Sequence, residues 1–346
     1  MINIPICAQS ALLITDRNTR KYFTGIDLAE GFAIVTKNQT VVFTDARYYS
    51  AAKLRFQVVG IQTFLYVGLH VIKEYLTAQG IKDLYVDYTK ETVSDYNKYS
   101  EFGFRILDAF EIIKSLRTIK TEKQIKSIKK ACEITEKAYY TAIKEIKLGI
   151  TEIQFKDRLE ELMLSMGAES IAFETIVAFN DNSAVPHHQT GDTQLTENSV
   201  VLVDMGCKIN GYCSDLTRTA FFGTPSQKFL DCYQAVLQAN LKAEQEVCSG
   251  MSGKKADWFA RECLKEKGLD KYFTHSLGHG IGMDIHEYIA LSPKSKDILA
   301  DGMVFSIEPG VYFDKEFGIR IEDTVVLVDG KLERLFNDDK KLILLN

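Results

Sequence analysis

The sequence has no excess of positive charge. Its 42 lysine and arginine residues are outnumbered by 47 aspartate and glutamate residues, which gives a formal net charge of −5. It also contains no polybasic tail. A nucleic acid or an anionic membrane surface is therefore not expected as the main partner.

Long hydrophobic runs are also missing. No window of the sequence approaches the roughly eighteen uninterrupted apolar residues that a membrane-spanning helix needs. The opening segment MINIPICAQSALLI lacks the positively charged region with which a secretory signal peptide begins. We therefore expect a cytoplasmic protein that has no membrane partner.

The cysteines show no paired spacing. An odd number of cysteines without a CxxC arrangement indicates neither a disulfide framework nor a structural zinc site. We expect reduced thiols that are mostly packed in the interior. The seven cysteines are Cys7, Cys132, Cys207, Cys213, Cys232, Cys248 and Cys263.

The composition is that of an ordinary globular protein, with 46% apolar and 26% charged residues. A length of 346 residues suggests two domains. Residues 1–115 alternate β-rich runs with helical patterns, which predicts a small α/β domain. The β-rich runs are GFAIVTK, TVVFTD, FQVVGI, KDLYVDY and FRILDAF.

A second domain, residues 116–346, is predicted to begin with a long helix. Thr121 and Gln124 have the spacing of a capping box, and apolar residues recur at helical spacing up to Gly149. A second helix and a β-hairpin follow, and the same order returns from about residue 226. The sequence therefore predicts an α+β fold in which two helix, helix, β-hairpin halves follow the smaller α/β domain.

The hairpin of the first half carries two aspartates. The turn signal Asn210-Gly211 separates two β-rich runs. If the hairpin centre falls between Ile209 and Asn210, then Asp204 and Asp215 lie directly opposite each other. Opposed residues of an antiparallel pair point to the same face, so both carboxylates would enter one small volume.

The hairpin of the second half carries two glutamates. Glu308 and Glu322 are equally distant from Lys315, which lies in a polar turn, so they are also predicted to face each other. Opposed carboxylates destabilise a sheet unless they share a proton or a cation. Solvated pairs on an outer face are the alternative, but a duplicated arrangement beside several histidines favours a bound cation.

Five of the six histidines lie in the predicted second domain, and His70 outside it is expected to be structural. The segment THSLGHGIGMDIHE is rich in glycine, so we expect a strand and a loop from which one or two histidines reach the metals. One imidazole and four carboxylates suit manganese, cobalt, iron or a catalytic zinc. Four carboxylates balance the charge of two divalent ions. The five histidines are His187, His188, His275, His279 and His286.

Six segments together resemble the pita-bread metallopeptidases, within the branch of Xaa-Pro aminopeptidase and prolidase. The first domain, with YFTGI and GFAIVTKNQTVVFTDARYYSAA, resembles more faintly the creatinase-like N-terminal domain of that branch. The six segments are LRTIKTEKQIKSIKKAC, AFETIVAFNDNSAVPHH, VDMGCKINGYCSDLTRT, HSLGHGIGMDIHE, IEPGVY and GIRIED.

The resemblance implies a catalytic domain with two divalent metal ions, for which manganese is expected ahead of cobalt, zinc or iron. Asp215 and Glu322 are expected to bridge both ions. The implied ligands are Asp204, Asp215, His279, Glu308 and Glu322.

Other side chains are implied to act on the substrate. His187, His275 and His286 would line the substrate site, and Glu308 would also accept a proton during hydrolysis. Arg320 would support the carboxylates. His188 has no matching role.

The expected activity is removal of an N-terminal residue from a following proline, as in an Xaa-Pro aminopeptidase. The alternatives are an Xaa-Pro dipeptidase and a metal-binding interaction protein without catalysis. The expected substrate is a peptide or dipeptide with proline at the second position. The resemblance also implies a homodimer.

Overall fold

The computed structural model describes residues 4–346. The chain divides into two compact units, of which the first ends at Arg117 and the second begins at Thr118. The first three residues of the predicted first domain lie outside the described residues.

The first unit is built around a six-stranded mixed sheet. Its strand order is β4-β3-β2-β1-β5-β6, in which β1, β2 and β3 pair antiparallel and the outer neighbours pair parallel. In chain order the elements are β1 (Ser10–Ile14), α1 (Arg17–Thr24), β2 (Phe32–Thr36), β3 (Thr40–Thr44), α2 (Ala46–Val58), β4 (Gln62–Leu65), α3 (Leu69–Ala78), β5 (Asp83–Val86), α4 (Val93–Ser100), β6 (Arg105–Asp108) and α5 (Phe110–Thr118).

The strand predicted for FQVVGI is wrong. The first three residues of this run end helix α2, and strand β4 begins only at Gln62. Phe56 is buried one helical turn after buried Ala52, whereas Val58 is 87% exposed. Only the aromatic side chain of the run packs into the core, so the helix that starts after Asp45 extends into its first three residues.

The second unit contains two halves with the same order of elements, two helices followed by strands. The first half comprises α6 (Glu122–Ala142), α7 (Glu152–Ser165), β7 (Ser170–Ile171), β8 (Ile176–Phe179), β9 (Ser199–Met205), β10 (Cys207–Ile209), β11 (Tyr212–Cys213) and β12 (Leu216–Phe222). The second half comprises α8 (Gln227–Glu246), α9 (Gly253–Lys265), β13 (Gly278–Gly280), β14 (Glu287–Leu291), β15 (Val304–Ile307), β16 (Gly310–Phe313), β17 (Phe317–Arg320), β18 (Asp323–Val328), β19 (Lys331–Arg334) and β20 (Leu344–Leu345).

Capping residues determine where the two helices of the first half begin. Both arms of the capping box at Thr121 and Gln124 are present, and Thr151 starts α7 in the same way. The predicted end of α6 at Gly149 is wrong, because the helix stops at Ala142. Ile143 and Ile146 beyond it are still buried, so the apolar spacing continues after the helical backbone has ended.

The strands of the second unit form two larger sheets, ordered β20-β12-β9-β8 and β14-β13-β15-β18-β19. Two hydrophobic clusters fill the space between these sheets and the helices. In the described part of the chain no helix combines the length and apolarity that crossing a bilayer requires.

The register predicted for the first hairpin is wrong by one residue at its centre. Asp204 pairs with Thr217, and the turn is centred on Asn210-Gly211. Asp215 lies two residues from Thr217, so the alternation of strand side chains still directs it to the face of Asp204.

The register predicted for the second hairpin is the one observed. Gly310 pairs with Arg320 and Ile307 pairs with Asp323 on either side of the two glutamates. Lys315 at the centre of the turn has a positive φ of 58°.

Candidate active site

The predicted metal ligands line one cavity of about 610 Å³, and the four carboxylates among them lie at or next to the ends of strands. Asp204 is near the end of β9 and Asp215 precedes β12, whereas Glu308 follows β15 and Glu322 precedes β18. His279 is the middle residue of β13. Each half of the unit thus brings two carboxylates to the same place.

The short strand β13 reaches this place because of a glycine. A Cβ atom on Gly278 would overlap the carbonyl oxygen of Ser306 in β15, so no larger residue fits. The hydroxyl of Ser306 also accepts the backbone N–H of His279, at 3.0 Å. Close packing of the two strands therefore holds the imidazole at the cavity wall.

The ligand atoms of Asp215, His279 and Glu322 lie within 4.8 Å of one another. The Nε2 atom of His279 is 3.6 Å from an oxygen of Asp215 and 3.4 Å from an oxygen of Glu308. These separations are those of side chains grouped around a common centre rather than of a hydrogen-bonded network.

The electrostatics of the four carboxylates call for a cation. Burial raises the pKa of Asp215 well above its usual range, and the charges of Glu322 and Asp204 add to the effect. Burial also raises the pKa of Glu322, and it raises that of Glu308 to about 7. Several carboxylates that oppose each other's ionisation are stabilised when a cation is shared.

One buried oxygen atom shows whether the candidate ligands suit a metal ion. The Oδ1 atom of Asp204 has no hydrogen-bond partner within residues 4–346, although its other oxygen accepts from Arg320. Buried polar atoms are nearly always paired, so an atom of this kind is explained by an ion. The donor set of four carboxylates and one imidazole fits divalent metal ions.

Two threonines join the halves at the site and were not predicted. The hydroxyl of Thr217 donates to Glu322, at 2.5 Å, and the hydroxyl of Thr324 donates to the carbonyl oxygen of Asp215, at 2.9 Å. The signal is present in the sequence, because Asp215-x-Thr217 and Glu322-x-Thr324 share one spacing. Each half therefore orients a carboxylate residue of the other.

Arg320, the residue expected to support the carboxylates, lies beside one of the candidate metal ligands. Its guanidinium donates to Asp204, at 2.7 Å, to Thr217, at 3.0 Å, and to the hydroxyl of Tyr312, at 2.8 Å. The Tyr312 hydroxyl also lies 2.9 Å from the Nε2 atom of His275. Tyr312 therefore links His275 to Arg320, which supports the carboxylate of Asp204. This tyrosine was not among the predicted site residues.

The remaining predicted histidines also line the cavity. Burial lowers the pKa of His275 to about 3 and that of His286 to about 4, so both imidazoles are neutral near pH 7. The ring of His286 is 4.1 Å from the ring of His279, centroid to centroid. His187 is exposed at the wall. His275 and His286 can exchange hydrogen bonds with a substrate without adding positive charge.

Two parts of the chain match families of known proteins. Residues 126–329, which contain every predicted metal ligand, match the metallopeptidase family M24. The chain belongs to this family. Residues 8–119 match the creatinase/prolidase N-terminal domain. The resemblance found in the sequence and the predicted fold class are thus confirmed.

Three relatives of this M24 peptidase each cover more than nine tenths of its length. An Xaa-Pro dipeptidase from Pyrococcus furiosus is 36% identical over 93% of this chain and 92% of its own. The structure of an Xaa-Pro dipeptidase from Bacillus anthracis has a TM-score of 0.91 at 33% identity and covers 97% of this chain and 95% of its own. An X-Pro aminopeptidase from Thermotoga maritima has a TM-score of 0.92 at 32% identity, with the same coverage.

Membership of the family makes this M24 protein a metallopeptidase that uses divalent metal. The predicted enzyme class is therefore confirmed. Its relatives include both dipeptidases and an aminopeptidase, which are the two activities that the sequence analysis names.

Proposed function

We propose that this M24 metallopeptidase is an Xaa-Pro dipeptidase of the cytoplasm. The observation that carries the proposal is the 36% identity to the Pyrococcus furiosus Xaa-Pro dipeptidase over 93% of this chain, together with ligand-competent side chains at all five expected positions. An Xaa-Pro aminopeptidase is the first activity expected from the sequence, but the named relatives favour the dipeptidase alternative.

The proposed cofactor is a pair of divalent ions, with manganese as the preferred metal. When bound, such ions lower the pKa of a water molecule and stabilise negative charge on the peptide carbonyl oxygen. The residues proposed to hold them are Asp204, Asp215, His279, Glu308 and Glu322.

The chain's own groups supply the remaining chemistry. Glu308 is proposed to accept the proton of the attacking water and to deliver it to the leaving nitrogen. The hydroxyl of Ser306 donates to its Oε1 atom, at 3.0 Å, and so fixes the direction of that carboxyl group. Neutral His286 and exposed His187 are proposed to donate hydrogen bonds to the substrate carbonyl oxygen.

The cavity wall also suits a proline ring. A peptide bond to proline has no N–H, so the ring needs apolar contact rather than a hydrogen-bond acceptor. Phe173, Ile176 and Ile285 line the cavity beside the polar groups. These side chains are proposed to exclude water from the proline.

An assay of matched peptides tests the proposal. Manganese-loaded protein should hydrolyse Ala-Pro much faster than Ala-Pro-Ala, and Ala-Ala should be a poor substrate. Chelation should abolish the activity, and added manganese should restore it. Hydrolysis that does not depend on proline in the substrate and is not lost on chelation would overturn the proposed function.

An Xaa-Pro aminopeptidase is the second candidate, and one observation favours it. Among the described residues that line the cavity, Arg320 is the only lysine or arginine, and it is 3% exposed and bonded to Asp204, Thr217 and Tyr312. Among these described lining residues, therefore, no open lysine or arginine side chain meets the free carboxylate of a dipeptide. Faster hydrolysis of Ala-Pro-Ala than of Ala-Pro would establish this candidate instead.

A further inference from the structure

His188 lines the cavity but belongs to none of the groups assigned so far. Its Nε2 atom lies 2.9 Å from an oxygen of Glu152, the first residue of α7. The side chain of Glu152 is fully buried, at 0% exposure, whereas that of His188 is 15% exposed. A buried carboxylate is stable only when donors surround it, so the contacts of Glu152 define the local structure.

Four donors surround the Glu152 carboxylate. One oxygen accepts from the backbone N–H of Phe179 and from the side-chain amide of Asn182, both at 2.8 Å. The other accepts from the backbone N–H of Gly191, at 3.1 Å, and lies beside His188. The oxygens of Glu152 accept these hydrogen bonds, so the tautomer assigned to His188 carries its hydrogen on Nε2. Glu152 thus fastens residues 179–191 to the start of α7.

The segment that Glu152 fastens carries His187. Within residues 4–346 the imidazole of His187 makes no hydrogen bond, so its place depends on the backbone on either side. Pro186 before it has a restricted φ, and the Pro186 carbonyl accepts from Arg320, at 3.4 Å. His188 after it is tied to Glu152. His187 is therefore held between two anchors, and one of them, Arg320, also binds Asp204.

We propose that Glu152 and His188 are positioning residues for His187. The Glu152–His188 hydrogen bond holds residues 185–191 so that the His187 imidazole stays at the wall that the candidate metal ligands share. The inference rests on the proposed function, in which His187 contacts the substrate carbonyl. A hydrogen bond that served only the fold would lower stability without changing the turnover of each metal-loaded molecule.

A double-mutant cycle measured by kinetics distinguishes the positioning role from a role in the fold alone. We expect His188→Ala to lower kcat about tenfold, with metal content and KM little changed. The double variant His187→Ala/His188→Ala should be no slower than His187→Ala, because the second change acts only through the first. Losses that multiply in the double variant would overturn the proposal.

A conservative variant supplies the matched control. His188→Gln keeps an N–H donor near the position of Nε2, so it should recover most of the turnover that His188→Ala loses. His70→Gln, which changes an exposed histidine of the first unit, should behave as the unchanged protein. Equal loss in His188→Gln and His188→Ala would count against the hydrogen bond.

A spectroscopic readout keeps the test independent of hydrolysis. In protein labelled with ¹⁵N in histidine, His188 should show the form with hydrogen on Nε2, and His188→Ala should shift and broaden the His187 signals. Unchanged His187 signals would overturn the proposal whatever the protein hydrolyses. If the signals change as expected while no Xaa-Pro peptide is cleaved, the proposed function fails and the positioning role stands.

Discussion

At the scale of the single residue, Asp215 combines burial with the charge of three neighbouring carboxylates. Asp215→Asn keeps the size of the side chain but removes one negative charge from the candidate metal site. We expect the bound manganese to fall from about two ions per chain to below one, with loss of activity. Elemental analysis after dialysis, with His70→Gln as control, measures this. Full metal and full activity in Asp215→Asn would refute the assignment.

Two neighbouring histidines should respond differently to the same change. His286→Ala removes a proposed donor to the substrate, so turnover should fall about 10² to 10³-fold while the metal content is retained. His279→Ala removes the imidazole of the proposed ligand set and should lower metal content as well. Metal content, melting temperature and Xaa-Pro hydrolysis are measured on both variants.

Equal metal loss in the two variants would mean that His286 is part of the metal site. Full activity in His286→Ala would remove its proposed role. Lost stability with unchanged specific activity would show that the glycine-rich segment around these histidines is only structural.

The charged and imidazole residues around the cavity could be predicted from the sequence. The repeated spacing of Thr217 and Thr324 could also be seen there, but not which residue each hydroxyl contacts. Opposed carboxylates follow from alternation and turn signals, which are local. The bond from Thr217 to Glu322 joins residues 105 positions apart, and the anchor from Glu152 to His188 joins residues 36 apart. Such contacts depend on how elements distant in the chain pack together, within one half or between the two, and no local pattern contains this information.

At the scale of the element, a buried ionic cluster joins α8, β12 and β18 to the C-terminal segment. Lys340 is 1% exposed and contacts Glu244 and Asp323, at 2.7 and 2.8 Å. Arg218 binds Asp323 and also donates to the backbone carbonyl of Glu322. The cluster therefore fixes the strand that begins next to a candidate metal ligand.

Glu244 in this cluster gives a prediction about pH. Burial, with the charge of Asp323 as the next cause, raises the pKa of Glu244 from 4.5 to about 7. Between these values the folded state binds a proton that the unfolded state has lost, so the stability that Glu244 contributes falls as pH rises. Glu244→Gln removes this titration.

The free energy of unfolding of Glu244→Gln, relative to the unchanged protein, should therefore increase from about pH 5 to about pH 8. Urea unfolding at matched metal concentration measures the difference. Lys341→Gln, which changes an 81% exposed side chain, is the control and should show no such trend. A difference that stays constant with pH would contradict the raised pKa.

The errors in the predicted elements have physical causes. In FQVVGI, β-branched residues favour a strand, but only Phe56 is buried, and the continuing helix satisfies the backbone at no loss of core packing. Ile143 and Ile146 keep helical spacing although α6 has ended. By contrast, the capping box at Thr121 was predicted correctly, because a cap is made by residues three apart.

At the scale of the whole molecule, we predict a homodimer. The prediction rests on the resemblance to the creatinase-like branch. The first unit contributes none of the candidate metal ligands, so we expect it to serve another purpose, namely assembly of the dimer. Light scattering at micromolar concentration should give about twice the chain mass of 39.1 kDa. A mass equal to that of one chain would reject the prediction.

The crossed threonine bonds make the two halves of the second unit mutually dependent. The first half supplies Asp204 and Asp215, and the second half supplies the other three candidate ligands. If the chain were cut at exposed Thr224, in the connection between β12 and α8, each fragment would keep only part of this set and would lose the hydroxyl that orients one of its acids. Neither fragment alone should therefore hydrolyse a peptide, and activity should return only when the two fragments are mixed and reassociate.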